Sequence, residues 1–237
     1  MITAARKGEA AGTGLVIFDC DGVLVDSEPI AIDVLIETVA ARGVRIGRDA
    51  AYRDFLGRTL KTVSAALWAD YGVEMDETAL EVMRHRLYAR YRDALKPMAG
   101  VFDMLDRLDA ASCVASSSVY ERIEVSLKLT GLHDRFAPHI YSATAVPRGK
   151  PAPDLFLHVA ERMGVSPRDC VVIEDSPAGV MAAKAAGMAV IAFTGGGHVG
   201  PARLEAQLAA LKPDAILGDM QTLPDLLSSL RECQQRA

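Results

Sequence analysis

The chain has 237 residues, half of them hydrophobic and 24% charged, with a formal net charge of −5. That length suits one large domain or two modest ones, and the balance is that of an ordinary soluble globular enzyme. It carries no run of Lys or Arg that would fit nucleic acid or an anionic membrane, and no apolar segment near the ~20 residues a membrane span needs.

The first 14 residues are small and polar, without the apolar core of a secretory signal, and are expected to form a loose extension. The four cysteines, Cys20, Cys113, Cys170 and Cys233, lack metal-binding or redox spacing. Three lie in or beside strand-like runs, where Cys acts as a small buried hydrophobe, so reduced thiols and a cytoplasmic location are expected.

Residues 15–18, Leu-Val-Ile-Phe, form a short apolar run of the kind buried in parallel sheets. The run ends at Asp19-Cys20-Asp21-Gly22. Side chains two apart on an extended backbone share a face, so Asp19 and Asp21 are expected to point into one site, and Cys20 away from it. From residue 29 to 95 the spacing is helical throughout: segments at 29–43, 49–56, 60–71 and 76–95, with no convincing strand. From Pro97 the pattern alternates. Helices are expected near 100–108, 119–129, 153–163, 177–186, 202–211 and 223–231. Strands are expected near 112–115, 139–142, 170–173, 188–193 and 214–217. Repeated βα units with short links imply an α/β fold, a doubly wound parallel sheet covered on both faces. The helical block is then an insertion. The expected division is a core of 15–27 and 97–237 with an all-helical cap of 28–96, hinged near Asp26-Ser27 and Lys96-Pro97.

Sites in open α/β sheets form at the carboxyl ends of strands. Three later strand ends add groups to the first. Ser112-Cys113-Val114-Ala115 runs into Ser116-Ser117-Ser118. A helix start with free amides and nearby hydroxyls suits a phosphate, and Ser116 with Ser117 are candidate ligands. Ser118-Val119-Tyr120-Glu121 has capping-box form, so Ser118 is read chiefly as a cap. Lys150 precedes Pro151-Ala152-Pro153, a rigid entry to a helix, and offers a compact positive charge to a phosphoryl group. Glu174-Asp175-Ser176-Pro177 ends another buried strand, with Ser at the N-cap and Pro at the first helical position. These acids can complete a hard oxygen-ligand site with Asp19, for which Mg²⁺ is the expected ion.

Asp19-x-Asp21-Gly22-Val23, Ser116, Lys150-Pro151 and Glu174-Asp175-Ser176 resemble, in order and spacing, the four motifs of the haloacid dehalogenase superfamily. Lys150-Pro151-x-Pro153-Asp154 and the helical insert after the first motif resemble its β-phosphoglucomutase-like branch, in a phosphatase member. The resemblance implies that Asp19 attacks phosphorus to give an aspartyl-phosphate and that Asp21 serves as acid, then base. It implies Mg²⁺ on Asp19, the Asp21 carbonyl and Asp175, with Glu174 in support, and phosphoryl oxygens held by Ser116 and Lys150.

The expected substrate is a small sugar, polyol or sugar-acid phosphate, handled by a monomer or weak homodimer. A hexose-phosphate mutase is the alternative. The mutase pattern has His and Arg in the cap where an ungapped alignment gives Ala31 and Leu60, with Arg58 and Lys61 close by. A non-catalytic phosphometabolite sensor would be expected to have lost a catalytic acid, and none is missing. Glu28, Arg58 and Lys61 are candidate specificity residues. The Gly195-Gly196-Gly197-His198 stretch follows the fifth expected strand, where it is either a lining of the cleft rim or, the favoured reading, a flexible βα loop.

Overall fold

The computed structural model describes residues 14–57 and 60–235. Its six strands are β1 (Leu15–Phe18), β2 (Ala111–Ser116), β3 (Ile140–Ser142), β4 (Cys170–Glu174), β5 (Ala189–Phe193) and β6 (Ala215–Leu217). They form one parallel sheet in the order β3-β2-β1-β4-β5-β6. The chain works outward from β1 in one direction through β2 and β3, then in the other from β4 to β6. The reversal falls between β1 and β4, which is where doubly wound sheets open a crevice beyond their carboxyl ends.

β1 is central because all four of its residues are fully buried and need cover on both faces. Leu15 and Ile17 enter one apolar cluster, Val16 and Phe18 the other, as the two-residue period of a strand requires. Leu15 to Phe18 pairs with Ala111 to Val114 on one side and Cys170 to Ile173 on the other. This register brings the ends of β1, β2 and β4 to one level.

Between β1 and β2 the described elements are helices only: α1 (Glu28–Ala40), α2 (Arg48–Phe55), α3 (Leu60–Tyr71), α4 (Glu77–Ala94) and α5 (Val101–Arg107). Asp76 caps α4 by accepting from the Ala79 amide at 2.7 Å. The strands that enter and leave the helical block are tied together, since the Asp26 amide donates to the Lys96 carbonyl and the Met98 amide to the Leu24 carbonyl. Leu35, Phe55, Val63 and Met83 of these helices belong to the same apolar cluster as Leu15 and Ile17.

The remaining helices are α6 (Tyr120–Leu129), α7 (His133–Phe136), α8 (Asp154–Met163), α9 (Pro177–Ala185), α10 (Val199–Ala202), α11 (Leu204–Ala210) and α12 (Leu223–Gln235). Ser176 caps α9, accepting from the Gly179 amide at 3.0 Å. The helix expected at 202–211 is α11, and the short α10 precedes it, set off by Arg203, which takes φ +53° in the left-handed region. The short α7 had no clear periodic signal. Cys20, Cys113 and Cys170 are free and buried, as their strand-like surroundings imply. No helix among the described residues is long and apolar enough to cross a membrane.

Candidate active site

Asp19 follows β1 directly, and its amide still donates to the Ile173 carbonyl of β4 at 3.0 Å. The chain then turns back on itself. Leu24 and Val25 donate to the Cys20 carbonyl, and Gly22 takes φ +79° within the turn. Both aspartates are buried and line one cavity of about 530 Å³. Ser116, Ser117, Lys150 and Asp175 share its polar end. The sequence-predicted core residues are therefore brought together.

The two aspartates sit in different surroundings. Lys150 Nζ donates to Asp19 Oδ1 at 2.6 Å, to Glu174 Oε1 at 2.5 Å and to the Ala115 carbonyl at 3.0 Å. All three of its protons are thus used, and its ammonium lies 5.0 Å from the Phe156 ring centroid. Burial pushes the Asp19 carboxyl well above the ordinary carboxylate range; Glu174 and Asp175 add to the rise, and Lys150 opposes it. Glu174 is also raised by burial. Its second oxygen accepts from the Ser176 hydroxyl at 3.0 Å, so the side chain is engaged at both ends.

Asp21 accepts from the Ser27 hydroxyl at 2.7 Å, the Ser118 hydroxyl at 2.6 Å and Arg122 at 2.9 Å. Burial would raise this carboxyl too, but Arg122 and the two hydroxyls outweigh it and hold the group below its ordinary value. Ser118 is therefore not the cap its local pattern suggested. The N-cap of α6 is Val119, without a side-chain bond, and the Ser118 hydroxyl turns to Asp21, 97 residues away. A charged acceptor in a buried site holds a hydroxyl more strongly than an exposed amide does. Ser116 is fixed by accepting from the Ser118 amide at 3.1 Å, and Ser117 is exposed on the cavity wall.

Of the two readings of the 195–198 stretch, the structure favours a lining of the cleft, through His198. The ring is 1% exposed, lines the cavity, and places Nε2 2.9 Å from Asp175 Oδ2. Ser27, Ser118, Arg122 and His198 are site residues that sequence reading missed or set aside. For Arg122 the available signal was an Arg in the first turn of a helix whose start already pointed at the site. For His198 it was three consecutive glycines before an ionisable ring, a sign of close backbone approach.

Opposite the polar end the wall is apolar, with Leu35, Phe55, Leu56, Val63, Met83 and Leu87. Glu28 is the one charged side chain that the described residues of α1 to α4 bring to this cavity. Its carboxyl is pushed up to about 7, by burial first and by Asp21 next. Arg58 lies outside the described residues, and of Lys61 only the backbone, in α3, is described.

One oxygen from each of Asp19, Glu174 and Asp175 lies within 4.8 Å of the others. Lys150 pairs with two of these carboxylates, so one positive charge stands against three acids. An all-oxygen, buried and electrostatically under-compensated cluster fits a hard divalent cation such as Mg²⁺.

A sequence model of the haloacid dehalogenase-like hydrolases matches residues 13–187. The chain is 31% identical over 188 residues to the 6-phosphogluconate phosphatase of Escherichia coli K12, covering 78% of this chain and 85% of that one. It is similar to a conserved haloacid dehalogenase-like protein of unknown function from Agrobacterium tumefaciens. That structure gives a TM-score of 0.81 at 37% identity, over 92% of this chain and 99% of the other. A haloacid dehalogenase family hydrolase from Deinococcus radiodurans, solved with bound phosphate and sodium, gives a TM-score of 0.76 at 31% identity, over 93% of this chain and 97% of the other.

Proposed function

The chain belongs to the haloacid dehalogenase-like hydrolases, and from that premise we propose that it hydrolyses a small phosphate monoester, a sugar, polyol or sugar-acid phosphate, through an aspartyl-phosphate on Asp19. The observation that carries the reading is the pair of carboxylates facing one cavity, one beside a buried lysine and the other beside a half-buried arginine. The 6-phosphogluconate phosphatase supports the substrate class, and the Deinococcus hydrolase, solved with bound phosphate, is in keeping with a chain that handles phosphate.

An Asp19 oxygen attacks phosphorus in line with the ester oxygen, and the P–O bond to the leaving alkoxide breaks. Ser116 and Lys150 hold the phosphoryl oxygens as their charge redistributes. Ser117 adds a hydroxyl on the exposed side. Asp21, protonated once substrate displaces one of its donors, delivers that proton to the departing alkoxide, then as the carboxylate removes one from the water that attacks the aspartyl-phosphate. Asp19, the Asp21 backbone carbonyl and Asp175 would hold Mg²⁺, with Glu174 keeping Lys150 in place. When bound, the ion supplies positive charge against the phosphoryl oxygens. Residues 28–96 act as the cap, and Glu28, with Arg58 and Lys61, selects the alcohol.

The test is phosphate release over a panel of sugar, polyol and sugar-acid phosphates, in Mg²⁺ and in excess chelator. Release with Mg²⁺ and none with chelator is expected, and Asp19→Asn should take up no label from phosphorylated substrate. No release from any ester, or label retained by Asp19→Asn, would overturn the assignment.

A further inference from the structure

We propose that His198 is a positioning residue that fixes the Asp175 carboxylate for the divalent cation; the inference rests on the proposed reading of Asp19 and Asp175 as ligands of that ion. His198 is on none of the strands that carry the core motifs. It follows β5, the strand next to the one that delivers Asp175, and starts the turn into α10. Its Nε2 reaches Asp175 Oδ2 at 2.9 Å with 1% of the imidazole side chain exposed.

The ring is held by backbone that has no side chains to give it room. A Cβ on Gly22 would stand 1.8 Å from Asp175 Oδ2 and 2.8 Å from His198 Cε1, and one on Gly196 would stand 2.6 Å from the same Cε1. The Gly197 amide donates to Asp26 at 3.2 Å, tying the loop to the link that leads into the helical block. Imidazole and carboxylate are therefore clamped between the β1 turn and the β5 loop. Nδ1 is buried with no hydrogen-bond partner among the described residues, a cost that a ring serving only to fill space could avoid by being apolar.

One N–H engaging Oδ2 stops the Asp175 carboxylate from rotating and leaves its other oxygen for a ligand role. Partners of this kind behind a ligating group commonly contribute about ten- to hundredfold in metal affinity. The loop's glycines and histidine thus have a joint purpose, which is to bring a donor close enough to hold the acid at the end of β4.

The experiment is Mn²⁺ binding to the full chain, followed by electron paramagnetic resonance and independent of turnover, in wild type, His198→Gln and His198→Asn. The Gln amide can occupy the place of Nε2, whereas the Asn amide falls short of Asp175. Both variants remove the ring, so packing loss alone would affect them alike. Asn is expected to weaken Mn²⁺ about tenfold or more, with Gln recovering most of that affinity. Unchanged affinity in Asn, or equal weakening in both, would overturn the positioning role. A wild-type chain that binds no Mn²⁺ would instead overturn the metal reading, and the inference with it.

Discussion

Replacing Arg122 with Met tests whether the guanidinium holds Asp21 in its ionised, restrained form. Arg122 and Asp21 meet at 2.9 Å with side-chain exposures of 22% and 11%. The Arg122 guanidinium also lies 5.8 Å from the Tyr91 ring centroid on α4, so its loss reaches the helical block. Breaking a buried pair by removing one partner costs about 3–5 kcal/mol. Ser27 and Ser118 still donate to Asp21, and the pair is not fully enclosed, which places the expected loss at the low end, about 3 kcal/mol. For a chain of this size each kcal/mol moves Tm by about 2–4 °C, so a fall of about 6–12 °C is expected. The pH dependence follows from the direction of the Asp21 shift. Its folded carboxyl lies below the ordinary value, so the pair stabilises above the unfolded pKa, near 4, and loses that contribution as pH falls through the folded pKa. In the Met variant, burial acts on Asp21 without its main opponent, and the carboxyl rises instead. The gap in Tm between wild type and variant should therefore be full at pH 7.5 and narrow in acid. Thermal unfolding in chelator at pH 7.5, 5 and 3.5 measures it. A gap that is absent at pH 7.5, or that widens in acid, would refute the reasoning.

Two further substitutions probe the same turn. Gly22→Ala puts a methyl group 1.8 Å from Asp175 Oδ2 at a residue with φ +79°. It should cost about 1–2 kcal/mol in backbone strain alone and weaken Mn²⁺ binding, read by thermal unfolding and by direct titration. Asp21→Asn should lower the ratio of sugar-phosphate to aryl-phosphate turnover by about 10²–10⁴, because an aryl leaving group needs less help from an acid. An unchanged ratio in steady-state assays would remove Asp21 from that role.

The parts of the site legible in the sequence are those announced by a buried apolar run ending in a polar group. Asp19, Ser116 and Glu174-Asp175 each follow such a run, and Lys150 precedes a proline-defined helix start. Local patterning carries that information, since an apolar strand needs cover and its end needs a turn. What stayed hidden were the partners. Arg122 meets Asp21 across 101 residues, and His198 meets Asp175 from another strand end. Its place in the first turn of α6 was the one pointer to Arg122, whose spacing is otherwise that of a solvated helix residue. Ser118 shows the competition directly. Its local surroundings offered an exposed helix amide, and the fold offered a buried carboxylate, which prevailed. The short α10 has the same character on a smaller scale, because one left-handed residue, Arg203, sets it off from a run whose apolar spacing continues.

Asp19 and Asp21 are the same residue type two positions apart, so intrinsic chemistry cannot assign them different tasks. Their partners do. Asp19 shares Lys150 with Glu174 and faces Asp175, and burial raises it, with the two neighbouring acids adding to the rise against Lys150. Asp21 has a guanidinium and two hydroxyls to itself and is lowered. Pairs of titratable groups whose surroundings push them in opposite directions are how one site separates two roles. The surplus around Asp19 is what an incoming cation can neutralise, leaving its oxygen available for attack. The donors around Asp21 leave it ionised, the form that can take a proton from water. To deliver a proton to the leaving group first, Asp21 must give up at least one of its three donors. Ser27 and Arg122 both lie where the helical block meets the core, Ser27 at the entrance to α1 and Arg122 beside Tyr91 of α4. Loosening the Ser27 and Arg122 bonds at that junction, with Ser118 still donating from the other side, would let burial raise Asp21 toward the form that carries the proton it must deliver.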